Sequence, residues 1–196
     1  MKIIGLNGYA RSGKDTVAGF IQELYDGEVE IVAFADLIKL SAARALKTCT
    51  DPDDVGLRAV REWADQFKNG WSVRIFDRVG NQVGVMQGRE FLQRYGTEAH
   101  RELFGDDFWV NQIDWDRDCD VLVFTDVRFA NEARAILDRG GEVWRIDRPS
   151  ARPGRHASEQ PLDPELVSRV LINQYDLDHL KGDVEFLLGL PVGANS

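Results

Sequence analysis

The chain has 196 residues, of which 33 are acidic and 24 are basic, so its formal net charge is −9. With 43 % hydrophobic residues it has the composition of a globular protein, and its length provides for one core but is marginal for two. We therefore expect a single domain over residues 1–196. The acidic balance argues against nucleic acid or an anionic membrane as a partner, because affinity for either comes mostly from a basic field.

The number of cysteines and the hydropathy of the sequence indicate the cellular compartment of the protein. Cys49 and Cys119 are too few for a disulfide framework and lack the spacing of metal ligands, so we expect reduced thiols. The N-terminal apolar run is far shorter than a signal-peptide core, and no stretch approaches about 18 consecutive apolar residues. These features predict a soluble, cytoplasmic protein.

Short apolar runs alternate with helical patterns from the N-terminus onward. Residues 2–7 predict a strand, and residues 14–25 carry apolar side chains at helical spacing. Residues 30–35 predict a second buried strand, after which Asp36 is placed to cap a helix. An alternation of this kind predicts parallel strands joined by helical crossovers.

The same alternation returns in the second half of the chain. Strands are predicted at residues 120–125 and 142–146, separated by a helix over residues 130–139 that two glycines end. Residues 170–172 predict a last strand, and Asp176 caps the helix that follows it. The predicted fold is α/β, with a parallel sheet of about five strands covered by helices on both faces.

Two regions break this pattern. Residues 49–86 are rich in turn residues, and within them residues 72–86 alternate around Gly80-Asn81 as a β-hairpin does. Residues 148–164 hold four of the six prolines. We expect both regions to be insertions over a site rather than core sheet.

The stretch Gly8 to Lys14 matches G-x-x-x-x-G-K and lies between the first predicted strand and helix. Its glycines let backbone N–H groups turn toward phosphate oxygens, while the helix N-terminus and Lys14 add positive charge. The sequence therefore predicts a nucleotide-binding loop. Asp15 stands where Ser or Thr is usual, followed by Thr16. Either residue would serve Mg²⁺, or Asp15 is only a favourable charge in the first helical turn.

Asp126 follows the predicted strand 120–125 at its carboxyl end, where doubly wound sheets place ligands. It would orient Mg²⁺ or the attacking oxygen, and Arg128 would hold a phosphate with two hydrogen bonds. The alternative for Asp126 is a helix cap.

Arginines are concentrated after the predicted strand 142–146. Four of them stand against a single acid, Asp147: Arg145, Arg148, Arg152 and Arg155. This charge favours a lid that closes over phosphates, with an ordinary solvated charge run as the alternative.

Residues 89–101 predict two helices that meet at Gly96-Thr97. Arg89, Gln93 and Arg101 would then face one cleft, or the segment is surface helix.

Two further motifs are weaker. Residues 173–176 resemble a guanine-reading N-K-x-D but lack its lysine, and residues 77–80 fit D-x-x-G inside the hairpin. A helix cap and a turn are the favoured interpretations.

Five segments taken together resemble the bacteriophage deoxynucleoside monophosphate kinases, and they span nearly the whole chain: residues 11–16, 91–98, 108–110, 126–132 and 156–159. The resemblance implies a P-loop nucleoside monophosphate kinase fold. It implies transfer of the γ-phosphate of ATP to a deoxynucleoside monophosphate (dNMP), giving the diphosphate and ADP, for deoxynucleotide supply in phage DNA synthesis in the host cytoplasm.

The resemblance also implies roles for residues. Those matched to ATP are Gly8, Arg11, Ser12, Gly13, Lys14, Asp15 and Thr16, with Arg148 and Arg155 in the lid. Those matched to the dNMP are Arg89, Gln93, Gly96, Thr97, Trp109, Asp126, Arg128 and Glu132. Lys14, Asp126 and Arg128 would be catalytic, and Asp15 and Thr16 would serve Mg²⁺. Trp109 would stack on the base or belong to the core.

One departure from the family is Ala10, where a second basic residue is common, so Arg11 is the expected phosphate donor. Residues 49–86, a substrate-side insertion, align with little, and the preferred dNMP is therefore not predicted. The sequence leaves open whether the chain forms a homodimer. The alternatives are another small-molecule P-loop kinase, such as one acting on dephospho-coenzyme A, and a nucleotide-binding regulatory module without catalysis.

Overall fold

The computed structural model describes residues 1–46, 52–152 and 160–190. The chain divides into two compact units, the first made of Met1–Ala33 with Asp114–Ser196 and the second of Phe34–Ile113. The predicted insertion at residues 49–86 falls within the second unit. That unit begins earlier in the sequence and ends later than the predicted insertion.

The strands are β1 (Lys2–Asn7), β2 (Val29–Val32), β3 (Ser72–Phe76), β4 (Gln82–Gln87), β5 (Val121–Phe124), β6 (Glu142–Asp147) and β7 (Arg169–Ile172). The helices are α1 (Lys14–Leu24), α2 (Phe34–Leu46), α3 (Pro52–Gly70), α4 (Gly88–Gly96), α5 (Glu102–Phe104), α6 (Ala130–Leu137) and α7 (Leu177–Leu188). A π-helical turn over Thr97–Arg101 joins α4 to α5.

The first unit is built on a five-stranded sheet in the order β2-β5-β1-β6-β7, in which every neighbouring pair is parallel. Ile4 and Leu6 of β1 point to one face, in a core with α1 and α7. Gly5 points to the other, where a Cβ would lie 2.6 Å from Ile136 of α6. Both faces are therefore covered, which is why residues 3–6 of β1 and all of β5 carry no polar side chain. The predicted α/β fold is confirmed.

Two predicted helix boundaries in this unit hold, whereas one in the second unit is wrong. Asp176 caps α7 by accepting a hydrogen bond from the His179 backbone at 2.9 Å, and Gly140, at φ 74°, ends the α6 region. Asp36 does not cap α2, because that helix begins at Phe34. Its carboxylate binds Arg61 and Lys39 instead.

In the second unit the predicted hairpin is confirmed. β3 and β4 pair antiparallel, and the Asp77 carboxylate holds their turn by accepting from the Val79 and Asn81 backbones. The long helix α3, by contrast, occupies part of a region predicted as turn-rich. Pro52 is its first residue, a position where proline favours helix initiation.

The core of the second unit is aromatic. Phe67 of α3, Leu92 of α4 and Ala42 of α2 are buried together, and Trp63, Phe91 and Tyr95 pack against them. Gly96 is buried where α4 meets α2, because a Cβ there would lie 2.8 Å from Ile38. The predicted helix break at Gly96-Thr97 is instead a π-helical turn. Across the described ranges, no helix has both the length and the apolar character needed to cross a bilayer.

Candidate active site

The phosphate-binding loop of the first unit follows β1. Because β5, β1 and β6 are parallel neighbours, the loops after all three strands leave the sheet at one edge. Gly8, Arg11 and Gly13 have φ values of 144°, 64° and 109°. A Cβ on Gly8 would lie 2.6 Å from the Ile146 carbonyl oxygen, so only glycine fits there. The predicted loop forms, and its main chain is held in a conformation that most residues avoid.

The start of α1 provides hydrogen-bond donors. Gly13 is its N-cap residue and offers no side-chain cap, so the first-turn N–H groups have no partner within the helix. The Ser12 hydroxyl is buried and has no hydrogen-bond partner among the described residues. Free backbone donors at a positive helix end, beside an unsatisfied hydroxyl, suit a phosphate group.

Lys14 lies back across this loop. Its Nζ donates to the carbonyl oxygens of Gly8 at 2.8 Å and Tyr9 at 2.9 Å. Burial lowers the pKa of Lys14 and the charge of Arg128 lowers it further, while Asp15 and Asp126 act in the opposite direction. The ammonium group therefore lies within electrostatic range of the predicted residues that follow β5.

A cleft of about 240 Å³ lies beside the loop and is lined only by residues of the first unit. Its charged lining, within the described ranges, has four cations and one acid: Lys14, Arg128, Arg145, Arg152 and Asp147. Arg145 pairs with Asp147 at 3.0 Å. The excess of positive charge suits a polyanionic ligand such as a nucleoside triphosphate.

The predicted lid is described in part. Arg148 is exposed and donates to the Arg11 carbonyl oxygen at 3.3 Å, so it lies against the phosphate-binding loop. Arg152 lines the cleft. Arg155 and the segment 156–159 lie outside the described residues.

The turn after β5 is tied to the end of β1. Asn7 donates its side-chain amide to the Val127 carbonyl oxygen at 2.8 Å. Asp126 is 9 % exposed, and because the N-cap of α6 is Phe129, the interpretation of Asp126 as a helix cap is wrong. Glu132 is 2 % exposed and accepts the backbone N–H groups of Arg128 and Phe129 at 2.8 and 3.1 Å. Its carboxylate thus shapes the turn that carries Arg128.

The other residues predicted to contact the dNMP lie in the second unit. Arg89 is exposed at the start of α4, and Gln93 and Thr97 are half-buried. Trp109 is 3 % exposed, with its indole N–H donated to the Gly96 carbonyl oxygen at 2.8 Å, which favours its core role. Arg101 is also buried and donates to the Asp106 carbonyl oxygen, so this residue is not on an exposed helix surface.

The comparison with curated proteins identifies the family. A protein of Acanthamoeba polyphaga mimivirus named "Putative deoxynucleotide monophosphate kinase" is 32 % identical to this chain over 165 residues, which cover 83 % of this chain and 82 % of that protein. The chain belongs to the deoxynucleotide monophosphate kinase family. It is a nucleotide kinase, and hence a phosphotransferase.

No family model matches this kinase. Among solved structures it is similar to a sugar kinase from Janibacter sp. HTCC2649, with 13 % identity, coverage of 97 % and 95 % of the two chains, and a TM-score of 0.44. It is also similar to the APS kinase CysC of Mycobacterium tuberculosis, with 16 % identity, coverage of 96 % of each chain and a TM-score of 0.38.

The second unit of the kinase holds a group of cations of which sequence reasoning identified only Arg89. Asp36, which is 4 % exposed, binds Arg61 of α3 through both carboxylate oxygens and Lys39 at 2.9 Å. Burial opposes ionisation of Asp36, but the hydrogen bonds from Arg61 and Lys39 outweigh it and hold its pKa below the usual value. Arg61 and Lys39 are thereby held by one carboxylate.

Two further cations adjoin this pair. Lys68 of α3 contacts Asp65 at 3.4 Å. Its pKa is lowered by burial first and then by the charges of Lys39 and Arg89, against the effect of Asp65. We name Lys39, Arg61, Lys68 and Arg89 the basic cluster. Its signal in the sequence is the spacing of residues 61, 65 and 68 on one face of a helix, visible only once α3 is assigned.

The predicted Mg²⁺ ligands have suitable chemistry. Asp15 is exposed in the first turn of α1, and Thr16 beside it is half-buried. In the described part of the chain, no three His, Cys, Asp or Glu residues form a metal-binding group. Mg²⁺ in kinases typically takes one or two protein oxygens and fills its shell with phosphate and water. A carboxylate and a hydroxyl at the loop therefore fit this ion, with Asp126 as a further oxygen donor.

Proposed function

We propose that this kinase transfers the γ-phosphate of ATP to a deoxynucleoside 5′-monophosphate. An oxygen of the acceptor phosphate attacks the γ-phosphorus, the bond from that phosphorus to the β–γ bridging oxygen breaks, and ADP leaves as the nucleoside diphosphate forms. The observation that carries the proposal is the loop Gly8 to Lys14, whose left-handed residues and uncapped helix start border a cationic cleft. The mimivirus relative supports the acceptor class by its name.

The chemistry asks this chain for position and charge rather than for a covalent intermediate. Lys14 leaves the carbonyl oxygens of Gly8 and Tyr9 for the β- and γ-phosphates, which are stronger acceptors for an ammonium group. Arg148 and Arg152 neutralise charge on the transferred group. Mg²⁺, when bound, supplies further neutralisation of the triphosphate.

Each unit, taken by itself, has cationic residues that suit a phosphate group of the acceptor. Asp126 and Arg128 follow β5, and we propose that Arg128 binds the acceptor phosphate while Asp126 orients the metal or the acceptor. In the second unit the basic cluster brings four cationic side chains together, which suits a phosphate monoester dianion. Sequence reasoning assigned only Arg89 of these four cations to the substrate.

A coupled assay of ADP release tests this proposal. ATP is offered with dGMP, dTMP, dCMP or dAMP, and with dephospho-coenzyme A as an unrelated acceptor. We expect ADP release that depends on a dNMP. Release with dephospho-coenzyme A alone would indicate another small-molecule kinase, and slow release without any acceptor would indicate a regulatory module. The nucleoside diphosphate lies one phosphorylation from a DNA precursor, so we place the enzyme in deoxynucleotide supply.

A further inference from the structure

The segment after β7 contains the motif that resembled N-K-x-D. Its last residue, Asp176, caps α7, but its first residue acts elsewhere. The side-chain amide of Asn173 donates to the Ser12 carbonyl oxygen at 2.8 Å, across 161 positions of sequence. The Asn173 backbone N–H is itself donated to the Asp147 carbonyl oxygen at 2.8 Å, where β6 ends. The sheet thus fixes the position from which Asn173 reaches the phosphate-binding loop.

The Ser12 carbonyl belongs to the same peptide unit as the Gly13 N–H. A trans peptide is planar, so its C=O and N–H point in opposite directions. A hydrogen bond that holds the Ser12 carbonyl toward Asn173 therefore aims the Gly13 N–H away from Asn173. The cleft is lined by Gly8, Ala10 and Lys14 but not by Asn173. Asn173 therefore contacts the loop at Ser12 and Gly13 from outside the lining of the cleft.

Gly13 and Asn173 are also in contact. Gly13 has φ 109°, and a Cβ on it would lie 2.5 Å from the Asn173 amide nitrogen. A left-handed residue costs free energy unless its surroundings hold it in place. Asn173 supplies that restraint on one side of the loop, while the exposed Arg148 contacts the Arg11 carbonyl oxygen.

We infer that Asn173 is a positioning residue for the donor nucleotide, which orients the Gly13 N–H toward the phosphates of ATP without touching them. A donor that is already oriented needs no reordering when the anion binds, so affinity for the triphosphate rises. The inference rests on one part of the proposed function, namely that ATP binds this loop.

The test compares N173A and N173D with Q174A, an exposed neighbour, as the matched control. N173D keeps the size of the side chain but sets a carboxylate oxygen against the Ser12 carbonyl oxygen. Calorimetric titration with ATP should give a Kd raised about tenfold in N173A and more in N173D, and a Kd within about twofold of wild type in Q174A. The KM for the dNMP should stay within about twofold in all three proteins.

A spectroscopic readout reports on the peptide itself. In a 1H–15N spectrum, ATP should shift the Gly13 amide of the wild type strongly, and this shift should shrink in N173D. Equal ATP affinity in wild type, N173A and N173D would overturn the inference alone. A loss that raises the KM of both substrates together would also overturn it, because it would show a general structural role. Failure of the wild type to bind ATP would overturn the proposed function as well.

Discussion

The two units of this kinase offer positive charge to a ligand in different ways. In the first unit the donors are main-chain N–H groups, held by left-handed residues such as Gly13 at the edge of a parallel sheet, together with the cationic side chains of the cleft. In the second unit they are side chains on packed helices, placed by carboxylates such as Asp36. A main-chain site does not titrate and depends on backbone conformation. A site of paired side chains depends on pH, on salt and on each partner.

The strongest test of this comparison removes Lys14, the cationic side chain of the phosphate-binding loop that also lines the cleft. K14A should reduce kcat at least about a hundredfold, because the developing phosphate charge loses its ammonium partner. The fold should persist, since the lost bonds to the Gly8 and Tyr9 carbonyls contribute only about 1 kcal/mol each. Steady-state kinetics and a melting curve on the same sample measure both effects. Retained turnover would remove Lys14 from the mechanism.

A backbone substitution tests the conformational part of the same site. G13A should lower the free energy of unfolding by about 1–3 kcal/mol and abolish ATP binding, because alanine is strained at φ 109° and its Cβ would crowd Asn173. Urea denaturation and ATP titration provide the measurements.

Gly19 is the matched control for this change. It lies within α1, and in the described structure a Cβ there would meet nothing within 4 Å. G19A should therefore stabilise the protein by about 0.5–1 kcal/mol, the usual gain of alanine over glycine in a helix. If both variants lost ATP binding, the effect would not be specific to the loop conformation.

In the second unit the corresponding test removes a carboxylate. D36N should cost about 1–3 kcal/mol of folding free energy, because Arg61 and Lys39 lose their charged partner. The pKa of Asp36 is depressed in the folded state. Its contribution is therefore complete above the unfolded-state pKa of about 3.9 and is lost as pH falls through the lower folded value.

Unfolding measured between acid and neutral pH checks the sign of this effect. The difference in stability between wild type and D36N should be largest at neutral pH and should narrow in acid. A difference that stayed constant with pH would show that the ionised carboxylate is not what stabilises this part of the fold.

How far a structural feature depends on residues close together in sequence determined whether it could be predicted. The phosphate-binding loop and the hairpin are encoded by residues close together in sequence, such as Gly8 to Lys14 and Gly80-Asn81, so local pattern sufficed for both. The helix α3 was missed because residues 49–86 were interpreted as turn-rich, although Pro52 stands at the first position of the helix, where proline is favoured.

The basic cluster could not be predicted, because it requires the pairing of α2 with α3 and of α3 with α4, for which no local motif exists. Glu132 shows a related limit. Family resemblance assigned it to the substrate, whereas its geometry shows two bonds to the main chain of its own turn. A motif shows which residues are important, but it does not show as readily which atoms those residues contact.

The smallest expected effect is a change in the KM for the dNMP on substitution of Lys68. It tests whether a side chain that titrates contributes to acceptor binding. If the basic cluster binds the acceptor phosphate, K68M should raise the KM for the dNMP by roughly three- to tenfold and leave the KM for ATP unchanged, as expected when one charged hydrogen bond is lost. Burial, together with the charges of Lys39 and Arg89, lowers the pKa of Lys68. The wild-type KM for the dNMP should therefore begin to rise with pH below the ordinary lysine value of 10.5.

K68R is the control that isolates the titration, because a guanidinium stays protonated throughout this range. In K68R the alkaline rise of the KM for the dNMP should disappear, while the KM at neutral pH stays near that of the wild type. The KM for ATP, which the proposed function assigns to residues of the first unit, should show no such difference between wild type and K68R. An alkaline rise that persisted in K68R would assign the titration to another group and would leave Lys68 without a role in acceptor binding.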